Sequence, residues 1–367
     1  MRMERSNNPF TPTFGHVPFA LAGRSEYIDD VVGGLANRPG DPNRTTIFVG
    51  SRGSGKTVLL TAIARIASEQ GWISVNVSAR EGMIGEVIWQ IRANAAHLLP
   101  PETESRLTSV KAGPIGLSRE FVHKETNRRA QITALVDELN ERGIGILFTV
   151  DEVNSGCREF DAFVDIYQHL MREDKDVALL LAGLPSRVSE LLLDEDVSFV
   201  RRAFQRPMES IPIIEVEQAL LETFNANERS IDADALALAA EATQGFAFAI
   251  QLIGYYLWRQ GTSDQQIRVE DVEKAIASSQ REMERSVFVP TLRELRPREE
   301  QYLVAMAKDN GPSSTSDIAK RMGIGMTNAS NLRRRLIEFG VIFEVRMGLV
   351  DFEMPLLRDY LRARSVQ

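Results

Sequence analysis

This sequence is almost without cysteine: Cys157 is the single thiol among 367 residues. One thiol excludes an intramolecular disulfide and any multi-cysteine metal site. Histidine is scarce as well, and His16, His97, His123 and His169 share no metal-ligand spacing, which argues against a zinc centre. No apolar run reaches the ~18 residues of a membrane span. The nearest candidate, residues 246–258, is too short and carries Gln251. The N-terminus is charged, polar and proline-containing, without the apolar stretch of a secretory signal. These absences point to a cytoplasmic protein with no membrane partner. There is also no internal repeat and no low-complexity tract.

What is present is ordinary for a globular chain: 43% hydrophobic, 26% charged and 7% aromatic residues. The length leaves room for two or three domains of ~100–200 residues each. Asp and Glu outnumber Lys and Arg by 51 to 43, a net charge of −8 that argues against a protein coated in nucleic acid. The excess is uneven. Residues 291–367 hold 13 basic and 10 acidic side chains, a net of +3, which leaves −11 for the rest. A local basic function at the C-terminal end therefore stays open.

From residue 45 the pattern alternates strand and helix. Strands are expected at 45–49, 72–77, 144–150, 177–182 and 208–214, with helices at 56–70, 83–99, 128–142 and 160–173 between them. Residues 100–123 read as an irregular insertion with turn signals at Gly113-Pro114 and Gly116. This rhythm implies a parallel sheet between helices. Beyond residue 215 the strands stop, and 216–224, 233–242, 247–259 and 269–284 have helical periodicity. Residues 286–298, with Pro290 and Pro297, read as a linker. Helices at 299–308, 315–322 and 328–339 then precede a hairpin of 341–345 and 349–353, the pattern of a winged helix-turn-helix. The fold class is α/β, with expected parts at 1–206, 207–289 and 290–367.

Gly50-Ser51-Arg52-Gly53-Ser54-Gly55-Lys56-Thr57 fits G-x-x-x-x-G-K-[ST] between a strand and a helix. Its glycines let backbone N–H groups point at phosphate oxygens, with Lys56 on the β- and γ-phosphates and the Thr57 hydroxyl on Mg²⁺. Val58 follows in the first helical turn, whose dipole adds positive potential. The apolar run 144–150 ends in Asp151-Glu152. At the C-terminal end of a parallel strand these acids reach the same crevice as the loop. Asp151 suits the hydration shell of Mg²⁺ and Glu152 the orientation of an attacking water.

In the C-terminal pattern, 328–336 suits the recognition helix of a helix-turn-helix. Ala329, Leu332, Leu336 and Phe339 would face the core. Asn328, Ser330, Asn331, Arg333, Arg334 and Arg335 would meet bases or phosphates, with Lys320, Arg321 and Arg346 as further phosphate partners. The same shape also serves to bind proteins, so double-stranded DNA, another protein and the chain's own core all remain candidate partners.

These motifs in this order resemble the AAA+ superfamily, in its branch of origin-recognition and signal-transduction ATPases with a C-terminal winged helix. The resemblance implies ATP and Mg²⁺ as ligands. It places Pro18-Phe19-Ala20-Leu21-Ala22-Gly23-Arg24 over the adenine, with Phe19, Leu21 and Arg24 as contacts. It likens Phe199-Val200-Arg201-Arg202-Ala203 to the element in which an arginine, here Arg202, reaches a neighbouring subunit's nucleotide on self-association. An ordinary solvated arginine pair is the alternative. Thr243-Gln244-Gly245-Phe246 resembles the start of the lid segment, and Leu336-Ile337-Glu338-Phe339-Gly340 part of the winged helix. Two departures stand out. Ser186 is the hydroxyl nearest the family's first sensor position, and Phe248 falls where its second sensor arginine sits. The resemblance thus implies a slow ATPase or nucleotide-dependent switch that controls a winged helix, rather than a processive motor.

Overall fold

Short apolar strands, each followed by an amphipathic helix, set the architecture of the chain, seen here in a computed structural model that describes residues 8–13, 15–99, 117–194, 198–260, 266–354 and 356–365. The first part runs α1 (Ser25–Ala36), β1 (Thr45–Val49), α2 (Lys56–Glu69), β2 (Ile73–Ser78), α3 (Met83–Asn94) and α4 (Leu117–Asn140). It continues through β3 (Ile146–Asp151), α5 (Arg158–Arg172), β4 (Val177–Gly183), α6 (Pro185–Leu193) and β5 (Phe204–Pro207). The insertion expected from residue 100 lies, as far as Gly116, outside the described residues; from Leu117 the chain is helical.

The strands form one parallel sheet in the order β2-β3-β4-β1-β5. Every residue of β4 is buried, as expected of a strand covered on both faces. Successive residues serve opposite layers: Phe148 packs with Phe163 and Tyr167 on one face, and Leu147 with Leu59 and Ile63 on the other. Because β1 and β3 flank β4 in parallel, their C-terminal ends open onto the same edge. That edge is where such sheets bind ligands.

A fully buried arginine fixes the opposite edge. Arg44 donates to the carbonyls of Gly34 (2.8 Å), Leu35 (2.9 Å) and Asn37 at the end of α1, and to Asp176 Oδ1 at 2.5 Å. Its charge is thereby paired and its donors used, the condition under which a buried guanidinium is tolerated.

The last strand differs from the expectation at 208–214. β5 ends at Pro207, and Ile213 already opens the next helix. The apolar residues that suggested a strand there are buried as loop: Met208 under the sheet and Ile211 against the following helices. These are α7 (Ile213–Ala226), α8 (Ala233–Ala242), α9 (Ala247–Gln260) and α10 (Val269–Met283). Val216, Phe224, Ala239, Ile253 and Val272 make their core, and Phe10 from the N-terminal segment is inserted among them.

The linker expected at 286–298 is largely helix. α10 continues through a π-helical turn (Glu284–Phe288) into α11 (Val289–Arg293), leaving three residues before α12 (Pro297–Met306). Pro297 is tolerated in the first turn of α12, where no N–H is required, and Pro290 directly follows the π-helical turn. The boundary anticipated at 289/290 therefore falls within α11, and that at 206/207 within β5.

The remaining elements are β6 (Ser313–Ser314), α13 (Thr315–Met322), α14 (Met326–Phe339), β7 (Ile342–Arg346), β8 (Leu349–Phe352) and α15 (Leu357–Ser365). The strands pair antiparallel in the order β6-β8-β7. Tyr302, Leu303, Ile318, Leu336 and Val350 form the centre of this module, and Phe246, just before α9, and Leu252 within it belong to the same core. The four-helix part and the C-terminal module thus share buried surface. Among the described residues no helix is long and apolar enough to cross a membrane.

Candidate nucleotide site

The loop between β1 and α2 is shaped by its glycines. Gly53 has φ +82°, and a Cβ there would stand 2.6 Å from the Phe246 ring, so only glycine fits between the loop and α9. Gly55, also left-handed, precedes α2 and leaves Lys56 and Thr57 in its first turn, with Val58 half-buried behind them. Lys56 Nζ donates to the carbonyls of Gly50 (2.8 Å) and Ser51 (2.7 Å). Burial pushes this ammonium down to about 8, while Asp151, Glu353 and Glu152 favour its charge. Ser54 Oγ is buried and has no hydrogen-bond partner among the described residues.

Across β4, the Thr57 hydroxyl donates to Asp151 Oδ2 at 2.5 Å. The sheet order brings together these two oxygen donors from elements far apart in sequence. Asp151 Oδ1 in turn accepts from the Glu152 N–H at 2.8 Å, which fixes the carboxylate's plane. Glu152 is exposed and its φ is +55°, a left-handed conformation uncommon for glutamate. Asn154 braces this turn by donating to Ala79 O (3.1 Å) and Glu152 O (3.3 Å).

Beside the loop lies a cavity of about 500 Å³ lined by Arg24, Ser54, Met208, Phe246, Phe343 and Glu353, among others. Of the segment expected over the adenine, Arg24 reaches this lining. Phe19 is 60% exposed and Leu21 half-buried, and neither lines the cavity. Arg24 is itself buried, donates to Glu209 O at 2.7 Å and Gly23 O at 3.2 Å, and is held below its ordinary range by burial.

The two candidate finger arginines separate. Arg201 turns back onto α6, donating to Leu192 O at 2.6 Å and to the carbonyls of Leu193 and Asp194. Arg202 is exposed. Ser186 is buried at the start of α6. Phe248 meets the loop through its backbone, its N–H donating to Gly53 O at 3.2 Å.

The C-terminal module also reaches the loop, a contact with the chain's own core, one of the candidate partners of its shape. Arg52 forms a two-pronged pair with Glu294, and its guanidinium lies 5.6 Å from the Phe339 ring centroid. Gly340 sits against Leu184 and Pro185 at the start of α6. Neither Glu294 nor Glu353 belongs to a local motif, so only the folded arrangement assigns them to this site.

The residues expected on DNA are distributed around α14. Asn328, Asn331 and Arg334 are exposed, and Ser330 is half-buried. The arginines carry carboxylate partners within the module: Arg333 with Glu344 (3.4 Å), Arg334 with Glu338 (3.8 Å) and Arg335 with the buried Glu299 (3.4 Å). Arg321, too, is committed, bridging Asp309 and the carbonyl of Ala305.

Residues 285–361 match a family described as "Domain of unknown function (DUF8462)". No curated protein matches the chain. Among solved structures, it is similar to a Walker-type ATPase of Pyrococcus abyssi, at 18% identity and TM-score 0.68, over 93% of this chain and 96% of that one. It is also similar to the Orc2 protein of Aeropyrum pernix in its ADP form (13% identity, TM-score 0.53) and the Cdc6 protein of Pyrobaculum aerophilum (16%, 0.50). Each of these two comparisons covers 97% of this chain and 98% of the other. The chain shares the fold of these proteins, a parallel-sheet core with a phosphate loop followed by helices.

Proposed function

We propose that this cytoplasmic protein binds ATP with Mg²⁺ and works as a slow ATPase, a nucleotide-dependent switch for its C-terminal module. The reading rests on one observation: Lys56, Thr57 and Asp151 converge at one edge of a parallel sheet, with the two oxygen donors 2.5 Å apart. A hydroxyl and a carboxylate are hard donors, few in number, and suit a cation that retains most of its water. Bound there, Mg²⁺ would neutralise charge on the β- and γ-phosphates.

Lys56 would exchange the Gly50 and Ser51 carbonyls for phosphate oxygens, and the loop's N–H groups would surround the rest. Glu152 would orient the attacking water. Phe248 supplies no charge at the second sensor position, and one missing donor costs roughly 10²–10³ in rate. Turnover is accordingly slow. Arg202 is exposed and free to serve a neighbouring copy's nucleotide on self-association.

The C-terminal module is read as a winged helix that binds double-stranded DNA through the exposed side of α14, with Asn328, Asn331 and Arg334 in the groove, Ser330 beside them, and Arg333 and Arg335 on its flanks. A second reading has the module bind protein, its own core included. The Arg52–Glu294 pair and the seating of Gly340 on α6 favour it.

Two measurements test this. Lys56→Ala should abolish binding of a fluorescent ATP analogue, and retained affinity would overturn the nucleotide assignment. The wild-type protein should shift a DNA duplex in a salt-dependent way. A duplex left unshifted with and without ATP supports the protein-binding reading.

A further inference from the structure

We propose that the groove between α7 and α9 is a binding site for a short peptide of the pattern Asn-Pro-Phe. The chain's own residues 8–10 fill it as an exchangeable ligand, and a second copy can supply the same segment. The inference is independent of the nucleotide reading above.

The segment is held by side-chain recognition. Among the described residues, none before α1 lies in a helix or strand, and no hydrogen bond between main-chain groups joins residues 8–13 to the rest of the chain. Pro9 fixes its own φ and keeps Asn8 extended. Asn8 Oδ1 then accepts from the Phe10 N–H at 3.0 Å, an Asx turn, while Asn8 Nδ2 donates to Tyr255 O at 3.2 Å. One end of this amide shapes the peptide and the other reads α9. The Thr11 N–H adds a bond to Gln251 Oε1 at 3.1 Å, one helical turn before Tyr255.

The groove matches that shape. Phe10 is 3% exposed, its ring centroid 5.2 Å from that of Phe224 on α7, and Trp258 of α9 stacks on Phe224 in turn. Gly254 supplies the notch, since a Cβ at this position would collide with the Phe10 ring. Glycine inside a helix is destabilising relative to alanine. Here it opens an aromatic-sized hole that a side chain from outside the four helices fills. A segment held by one aromatic anchor and a few side-chain bonds is easily traded between identical chains. The groove therefore recognises the same three residues whichever copy carries them.

The probe is a fluorescein-labelled peptide Asn-Pro-Phe-Thr-Pro-Thr, the sequence of residues 8–13. Full-length Phe10→Ala protein, its groove vacated, should bind the peptide saturably. The wild type should bind it at least about tenfold more weakly, because its own segment competes. Asn8→Ala in the peptide removes two hydrogen bonds and should weaken binding about tenfold. Gly254→Val closes the notch but keeps the segment, so labelled Gly254→Val protein should associate with Phe10→Ala protein more tightly than either variant does with itself. Phe10→Ala protein with wild-type circular dichroism that fails to bind the peptide would overturn the proposal. Should this variant lose its helical signal, the added peptide must restore it, and a signal that stays lost overturns the proposal equally. Peptide binding without association of the two variants would overturn exchange between copies.

Discussion

Arg52, a variable position inside the phosphate loop, holds Glu294 through Nη1 to Oε1 at 3.0 Å and Nη2 to Oε2 at 3.2 Å, while Phe339 lies under its guanidinium. Glu294 immediately follows α11, and Phe339 ends α14, so one loop side chain gathers two parts of the C-terminal region. Both partners are about half exposed, at 47% and 48%. Such a pair contributes little to overall stability, about 0.5 kcal/mol or less after solvent screening. Arg52→Ala should therefore leave the melting temperature within about 2 °C of wild type. Cleavage by protease within 294–296, the short connection before α12, should nonetheless accelerate as the module loosens. An unchanged cleavage pattern would mean that the pair does not hold the module.

Lys56 poses a different balance. Its ammonium is pushed down to about 8 by burial, so the nucleotide-free protein bears a cost for keeping it charged. The sign follows directly: the unfolded chain binds a proton at this side chain up to its ordinary value of 10.5, whereas the folded chain releases it near 8. The cost is complete below pH 8 and disappears as pH rises to 10.5, so this lysine makes the free protein gain stability across that window. Lys56→Met should raise stability by about 1–2 kcal/mol at pH 7 and flatten the rise. Denaturant titrations of both proteins at pH 7 and pH 10 measure the difference. An equal pH slope in the variant would show that Lys56 is not desolvated.

Glu152 combines a proposed chemical task with a left-handed backbone, φ +55°. The two properties can be separated. Glu152→Gln keeps the conformation but cannot accept a proton, and turnover should fall about 10²–10⁴-fold with ATP affinity unchanged. Glu152→Asn suits the backbone better, because asparagine tolerates φ above zero. It should be equally inactive yet about 0.5–1 kcal/mol more stable than Glu152→Gln. Steady-state phosphate release and thermal unfolding distinguish the variants. Turnover surviving in Glu152→Gln would remove this residue from catalysis.

Much of this site was legible in the residues themselves. The spacing Gly50 to Thr57 and the apolar run ending in Asp151 are local patterns, each created by the backbone that must carry it. The direct contact between Thr57 and Asp151 follows once the strands are parallel and ordered. What escaped was non-local or ambiguous in hydrophobic pattern. Met208 and Ile211 are apolar because they are buried as loop, which a strand signal cannot distinguish. Pro290 signals a break, yet a π-helical turn lets α10 run on past it. Glu353 reaches the cavity beside the phosphate loop only through the placement of β8, and no sequence spacing encodes that.

The arginines of α14 provide the last prediction, because the structure gives them unequal partners. Arg335 faces Glu299, which is 7% exposed and also caps α12 by accepting from the Arg296 N–H at 2.8 Å. Removing Arg335 leaves that buried carboxylate without its cation, a loss of about 1–3 kcal/mol. Arg334 is 70% exposed and only loosely paired with Glu338 at 3.8 Å, so its removal should cost almost no stability. If the exposed side of α14 engages DNA, Arg334→Ala should weaken duplex binding and reduce the slope of log affinity against log salt by about 1. Asn331→Ala should weaken binding without changing that slope, since it contributes no charge. Arg335→Ala should lower the melting temperature and leave the slope less affected than Arg334→Ala. Equal salt slopes in the wild type and Arg334→Ala, with binding retained, would place any DNA contact elsewhere than on this face of α14.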